Sequence, residues 1–212
     1  MRPSSDVLTA DQRERLFEAT VNLIAKRGYR GTSVDQIVTA AGIDHRAFYA
    51  LYASKEECFL AAFDRIVAEA TAAVAAAVAD LSEWPRQMAT ALACLLDLIV
   101  AEPQRARIAL VEVQAAGPGA YSHYEKIVDD AAPKLREGRV FSPGTAVLSD
   151  ALEQAVLGGV IWIVQQRLVK GELKEADRMI EEASQVMLSP YVGETEAKRV
   201  ARSTVSDRPR PK

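Results

Sequence analysis

Side chains suited to binding a nucleic acid recur at helical spacing between Asp44 and Ala50. The guanidinium fork of Arg46 matches the O6 and N7 acceptors of guanine, and the Tyr49 hydroxyl can donate to a phosphate. His45 and Ala50 complete the same predicted face. Asp44 carries the wrong charge for a phosphate, so we assign it mainly to capping a helix, or else to accepting from a cytosine amino group. This pattern predicts a surface that contacts DNA.

Three further polar residues stand at neighbouring helix starts: Thr32, Ser33 and Lys55. Backbone amides at a helix start face outward and favour anions, and hydroxyl or ammonium groups there add donors. We therefore predict that these side chains contact phosphates on either side of the base-reading face.

The element that must position these groups is a pair of short helices between Thr32 and Tyr52. The run Ser33-Val-Asp-Gln36 is a capping box that opens the first helix, and Gly42 can take the left-handed conformation that ends it. Asp44 can cap the second helix, His45 to Leu51. This arrangement is typical of a helix-turn-helix.

Apolar side chains are spaced to lock this pair of helices at a fixed angle. Ala41 is small enough for a close approach between the helices. We expect Phe17 and Ile24, on a preceding helix over 10–27, to supply a third wall of the small core. The locking side chains are expected to be Ile37, Ile43, Phe48 and Leu51.

The rest of the 212-residue chain is 49% hydrophobic and rich in helix-favouring residues, which predicts an all-α protein. Gly and Pro positions divide it into helices near 55–80, 85–101, 104–116, 120–136, 146–170 and 174–189. The predicted divisions are a flexible start over 1–9, a helix-turn-helix domain over 10–55, a helical bundle over 56–193 and a disordered basic tail over 194–212. The tail is expected to add weak attraction for DNA.

Charge and motifs narrow the function classes. Residues 1–60 hold eight Lys/Arg and eight Asp/Glu, so the net charge of -3 belongs to the rest of the chain and does not repel DNA from the N-terminal segment. The sequence lacks a phosphate loop, a GxSxG elbow, an HExxH motif and paired cysteines, so we expect no enzyme activity, cofactor or metal site. No apolar segment reaches about 20 residues, and no secretory signal begins the chain, so we expect a cytoplasmic protein without a membrane partner.

From about Gln12 to Phe63, a quarter of the chain, the sequence resembles the N-terminal domain of the tetracycline-repressor (TetR) family. The shared features are Thr-Ser-Val followed by Ile, Ala-Ala-Gly-Ile, the aromatic pair Phe48-Tyr49, and Tyr-x-Ser-Lys-Glu-Glu from Tyr52. The resemblance implies phosphate contacts from Thr32 or Ser33, Tyr49 and Lys55, and base contacts from His45, Arg46 and Ala50. Family members commonly have Ser at position 44, Gly at 46 and Thr at 47, so the operator sequence is not transferable.

The resemblance also implies a C-terminal domain that binds a small molecule and forms a homodimer through its last two long helices. The apolar helices favour a largely hydrophobic effector. Candidate pocket residues are Trp84, Gln87, Cys94, Glu112, Gln114, Tyr121, His123 and Tyr124. Candidate dimer residues are Val156, Gly158, Gly159, Val160, Ile163, Met179, Ile180, Val186 and Met187, with Trp162 also expected at a helix interface rather than against a ligand.

Plainer interpretations stand beside these predictions. His45 could be a solvated surface residue, and Arg46 could pair with Glu14 or Asp35. The pocket candidates could equally be core or surface residues. A non-catalytic helical scaffold that has lost DNA binding is the alternative function, favoured by the neutral N-terminal segment and the missing family glycine at position 46.

Overall fold

The structure, a computed structural model, describes residues 10–142 and 149–208. Helices account for most of this part of the chain, and the described residues include no strand. The helices are α1 (Ala10–Arg27), α2 (Val34–Ala41), α3 (His45–Tyr49), α4 (Lys55–Val78), α5 (Trp84–Ala101), α6 (Pro103–Leu110), α7 (Pro118–Arg136), α8 (Leu152–Lys170), α9 (Ala176–Val192) and α10 (Glu194–Asp207), with 3-10 turns at Glu112–Ala115 and Glu137–Phe141. The expected all-α class is confirmed, while the predicted flexible start lies outside the described residues.

The chain divides into two compact units, which differ from the predicted domains. Among the described residues, the first contains 10–68 and 104–124, and the second contains 69–103, 125–142 and 149–208. Residues 104–124 thus join the first unit, although the sequence placed them in the C-terminal bundle. Side-chain bonds give the reason: Arg105 donates to Glu18 on α1 at 3.1 Å, and Glu112 accepts from the Tyr29 amide at 2.9 Å.

In the second unit, α9 is the central helix and packs against α5, α8 and α10. Its buried side chains include Ile180, Leu188 and Tyr191, and two of its neighbours contribute Leu96 and Val200. None of the helices in the described part of the chain is long and apolar enough to cross a membrane.

The predicted disordered tail is wrong over 194–207, which forms α10. Ala197, Val200, Ala201 and Thr204 follow the i, i+3, i+4, i+7 spacing of one helix face, and all four are buried. Because these buried residues are small and stand among basic residues, the sequence does not show them as an apolar stripe. Arg208 pairs with Asp97 and Asp177 in the same unit, so its charge is neutralised there rather than offered to DNA.

Candidate nucleic-acid interface

The boundaries of α2 and α3 are defined by their own side chains. Ser33 accepts from the Gln36 amide at 3.3 Å while the Gln36 side chain accepts from the Ser33 amide at 3.1 Å, so the predicted capping box is present. Gly42 has φ of 63°, in the left-handed region, and ends α2. Asp44 then caps α3 by accepting from the Ala47 amide at 2.7 Å. The turn between the two helices is thus determined locally.

A small apolar core locks α2 and α3 together. Ile37 and Phe48 are fully buried, Ala41 is buried in the same cluster, and Ile43 and Leu51 pack against it as partly buried residues. The third wall differs from the prediction, because α1 contributes Leu16, Ala19 and Leu23 to this cluster, whereas Phe17 and Ile24 are buried outside it. The sequence correctly predicted that α1 is amphipathic, but α1 packs against α2 and α3 through other residues than those predicted.

The turn before α2 is also tightly held, and this changes the role of Thr32. The Thr32 side chain is only 3% exposed, and its hydroxyl donates to the Gly28 carbonyl at 2.9 Å. The prediction of a phosphate contact from this hydroxyl is therefore corrected, since the donor is already used inside the turn. Ser33, the alternative, is exposed.

Lys55 lies at the first turn of α4 and reaches back to the same turn. Its ammonium donates to the carbonyls of Tyr29 and Thr32, both at 2.8 Å, and lies 4.1 Å from the centre of the Tyr29 ring. Partial burial lowers the pKa of Lys55 from its usual value. Two of its three donors thus hold the protein's own backbone, and one is left for an anion.

The outward face of α3 carries the predicted base-reading residues. Arg46 is exposed and, within the described ranges, its guanidinium has no hydrogen-bond or ion-pair partner. The interpretation that it pairs with Glu14 or Asp35 fails, because Glu14 pairs with Arg65 and Asp35 lies 2.7 Å from the His45 ring nitrogen. Tyr49 is 55% exposed, with its ring packed edge-on against Phe48. Ala50, the last residue of this face, is exposed as well.

The predicted pocket residues are divided between the two units. The second unit holds Trp84, Gln87 and Cys94, whose polar atoms are partly used within it: the Trp84 indole donates to the Lys134 carbonyl at 2.8 Å, and Gln87 donates to the Leu81 carbonyl. The first unit holds the other five: Glu112, Gln114, Tyr121, His123 and Tyr124.

Within the first unit, His123 lies 2.8 Å from an Asp64 carboxylate oxygen, and Tyr121 and Gln114 are exposed. A cavity of about 190 Å³ in this unit is lined instead by α1 and α4 around Leu16, Thr20 and Cys58. The effector pocket therefore stays a prediction.

Glu112 is the clearest correction among the pocket candidates. It is 6% exposed, and its two carboxylate oxygens accept from the Tyr29 amide at 2.9 Å and from the Arg107 side chain at 3.3 Å. Both oxygens are therefore occupied by protein donors, so Glu112 anchors the turn after α1 rather than lining a ligand pocket. A carboxylate bonded to a backbone amide 83 positions away leaves no local sequence signal.

The predicted dimer residues separate into buried and exposed groups. The buried group needs correction, because α9 lies inside its unit and α8 presents one face to it, so these side chains fill the monomer core: Val156, Val160, Met179, Ile180 and Met187. The accessible group is Gly158, Gly159, Ile163 and Val186. Trp162 is 61% exposed and lies on the same outer side of α8 as the glycines. A β-carbon at either glycine would meet no atom within 4 Å beyond its chain neighbours and the nearby backbone of α8, so no packing contact in the monomer requires these glycines.

Comparison with known proteins places these features in a family. Residues 16–62 match the family model described as bacterial regulatory proteins, tetR family. The repressor NicS of Pseudomonas putida is 28% identical over 100 residues, which are 47% of this chain and 47% of NicS, so the match spans about half the length of that relative.

Solved structures extend the likeness to the whole fold. The fatty acid degradation regulator FadR of Bacillus halodurans aligns with a TM-score of 0.73 at 16% identity, covering 86% of this chain and 97% of FadR. FadR of Bacillus subtilis, solved with stearoyl-CoA, aligns with a TM-score of 0.69 at 17% identity, and the alignment covers 85% of this chain and 98% of that FadR chain. At these identities the structures establish the fold alone. The family match covers the capped pair α2–α3, so residues 16–62 form a helix-turn-helix segment of the type described for the TetR family of bacterial regulatory proteins, and an all-helical fold continues beyond them.

Proposed function

We propose that the protein is a ligand-responsive transcriptional regulator, a repressor that binds a palindromic operator as a homodimer. The observation that carries this proposal is the outward face of α3, where Arg46 and Tyr49 are exposed on a helix whose start and buried side are fixed by the fold. Rigid placement matters because a base edge is read only by donors held within hydrogen-bond reach.

Each exposed group has a distinct role in the proposed complex. Arg46 contacts a base edge in the major groove, with His45 and Ala50 beside it, while Tyr49 and Ser33 donate to phosphates. Lys55 offers its remaining donor to the backbone. Asp44 caps α3 through one carboxylate oxygen, and we assign it this structural role rather than a base contact.

The outer side of α8 supports the proposed homodimer. Ala155, Gly158, Trp162 and Val169 lie along one face and are exposed, and Val186 on α9 is exposed as well. Two copies of such a face can pack against each other about a two-fold axis, with the glycines allowing the backbones to approach closely. A two-fold dimer presents two α3 helices, which requires two related half-sites.

Relatives support the remaining parts of the proposal. NicS is named a transcriptional repressor, and the Bacillus subtilis FadR structure contains stearoyl-CoA. A small, largely hydrophobic effector that binds the part of the chain beyond the helix-turn-helix would release DNA by favouring a spacing of the α3 helices that does not fit the operator.

A gel shift on the DNA upstream of the protein's own gene tests the proposal. We expect a complex that survives excess random DNA and weakens as salt rises from 50 to about 200 mM, because phosphate contacts release counterions. The variant Arg199→Ala, which removes an arginine of α10 that already pairs with Glu196, should form the same complex as the wild type. Absence of a sequence-preferring, salt-sensitive complex would favour the non-catalytic scaffold instead.

A further inference from the structure

The backbone of Tyr29 is held from two sides by charged side chains that are distant in sequence. The Glu112 carboxylate accepts from its amide at 2.9 Å, and the Lys55 ammonium donates to its carbonyl at 2.8 Å. Lys55 also donates to the Thr32 carbonyl. We call Glu112, Tyr29, Lys55 and Thr32 the Tyr29 clamp.

The chain inside the clamp has little freedom of its own. Gly28 has φ of 78°, which disfavours any side chain, and a β-carbon at Gly31 would lie 2.5 Å from the Arg27 carbonyl oxygen. The Tyr29 ring packs edge-on against Phe59 at 5.2 Å between centroids. Hydrogen bonds, ring packing and glycine geometry therefore fix one path from α1 into α2.

The path of this turn decides where the DNA-binding face lies. Thr32 immediately precedes the Ser33 cap of α2, and the core around Ile37 and Phe48 makes α2 and α3 a single packed pair. A shift of the turn therefore moves α3 as a whole. Base-edge contacts tolerate little displacement, because a hydrogen bond weakens steeply with distance and angle.

We infer that Glu112 is a positioning residue for DNA binding: through its bond to the Tyr29 amide, the segment 112–115 sets the position of the helix-turn-helix. This inference rests on the proposed function and describes how it could be regulated. Any change that breaks the bond between Glu112 and the Tyr29 amide lowers DNA affinity, although Glu112 itself does not contact DNA. Two features support it. The carboxylate is buried, and its second oxygen is held by Arg107, which aims the first at the amide.

The test uses the full-length protein and compares three variants. Glu112→Leu removes both acceptors, Glu112→Gln keeps one acceptor for the Tyr29 amide, and Arg107→Gln removes only the second bond. We expect operator affinity about tenfold weaker for Glu112→Leu, equal to about 1.4 kcal/mol, and smaller losses for the other two, which keep an acceptor for the Tyr29 amide but lose the Arg107 bond that aims it. Fluorescence anisotropy with labelled operator DNA over a range of salt concentrations measures this.

The salt dependence separates positioning from contact. Glu112→Leu should leave the slope of log affinity against log salt unchanged. Lys55→Ala removes two bonds of the Tyr29 clamp together with a proposed phosphate partner, so it should weaken binding and also reduce the slope by about one. Hydrogen exchange of the Tyr29 amide, measured by NMR without DNA, should accelerate in Glu112→Leu and stay slow in Glu112→Gln. Thermal unfolding followed by circular dichroism confirms that each variant is folded.

Several outcomes overturn the inference. Unchanged operator affinity in Glu112→Leu does so, as does a Glu112→Gln variant that is as weak as Glu112→Leu, since charge rather than the Tyr29 bond would then matter. A reduced salt slope in Glu112→Leu would show that fewer phosphates are bound, which contradicts positioning alone. Wild-type protein that binds no operator removes the proposed function and this role together, whereas wild-type binding with an unaffected Glu112→Leu removes this role only.

Discussion

Two surfaces of this protein carry side chains that the monomer does not use, and they differ in chemistry. On α3 the exposed groups are polar, led by Arg46 and Tyr49, on a helix of only five residues. On one side of α8, a helix of 19 residues, the exposed groups are mainly apolar or lack a side chain, led by Trp162 and Gly158, with the polar Gln154 and Lys170 exposed near the two ends. The opposite side of each helix is buried.

The difference indicates two kinds of partner. A short polar face supplies donors to a hydrated, charged partner, and such binding weakens with salt because counterions are released. A long apolar face gains by removing surface from water, and this association is much less sensitive to salt. These chemical properties support the proposed DNA contact of the α3 face and the proposed dimer contact of the α8 face.

The largest effect is expected from Trp162→Asp. A carboxylate in the centre of the apolar face opposes burial, so the dimer should dissociate to monomers, and operator affinity should fall by about 100-fold as the two α3 helices lose their linkage. Sedimentation velocity and anisotropy measure the two effects. Val140→Asp is the matched control, because Val140 is 81% exposed on a different segment. A Trp162→Asp protein that remains dimeric would contradict the role of the α8 face.

Arg46→Ala should weaken binding to the preferred operator by about 2 kcal/mol and relax the preference at one base position. The dimer should be unaffected, which distinguishes this change from Trp162→Asp. Selection of bound sequences from a randomised operator measures the preference. Equal losses on operator and random DNA would argue that Arg46 contacts only phosphates.

Glu153→Gln tests the buried side of α8. Glu153 is 1% exposed and bonded twice to Arg139 at 2.7 Å, and this bond lowers the pKa of its carboxyl group from the usual value. Because the carboxyl pKa of Glu153 is lowered in the folded protein, its charge stabilises the fold at pH values above the ordinary carboxyl pKa of 4.5. This stabilisation disappears as the pH falls through the lowered pKa. We expect a loss of about 2 kcal/mol at pH 7, less than for a fully buried pair because Arg139 is partly exposed.

Urea unfolding at several pH values measures this effect. The difference between wild type and Glu153→Gln should be largest near neutral pH and should shrink below pH 4.5. Glu194→Gln is the control, because Glu194 also has a lowered pKa but pairs with Lys198 at the surface, where an ion pair contributes little. A difference for Glu153→Gln that does not vary with pH would contradict the charge-based explanation.

The smallest effect is expected from Tyr49→Phe. The change removes one hydroxyl while the ring keeps its packing against Phe48, so stability should be unchanged. Binding should weaken by about 1 kcal/mol on all DNA sequences alike, since a phosphate contact carries no sequence information. Tyr121→Phe, at another exposed tyrosine of the same unit, should change nothing. A change in sequence preference with Tyr49→Phe would assign this residue to the bases.

Short-range features of the helix-turn-helix were predictable because each depends on residues within four positions of each other. Ser33 and Gln36 satisfy each other's amides, Gly42 adopts the positive φ that ends α2, and Asp44 caps α3. Local chemistry of this kind is the same in any fold. The prediction failed for Thr32, whose hydroxyl is used by the Gly28 carbonyl within a turn that periodicity does not describe.

The helical class, the capped pair α2–α3 and the outward residues of α3 could be predicted from the amino-acid sequence, because caps and helical periodicity are local. Tertiary structure alone decided that Glu112 holds Tyr29, that α10 packs into the second unit, and that Met179 and Ile180 lie in the monomer core. An amphipathic pattern shows that one face of a helix is buried but not against which neighbour. The choice depends on which surfaces meet when the whole chain minimises its exposed apolar area.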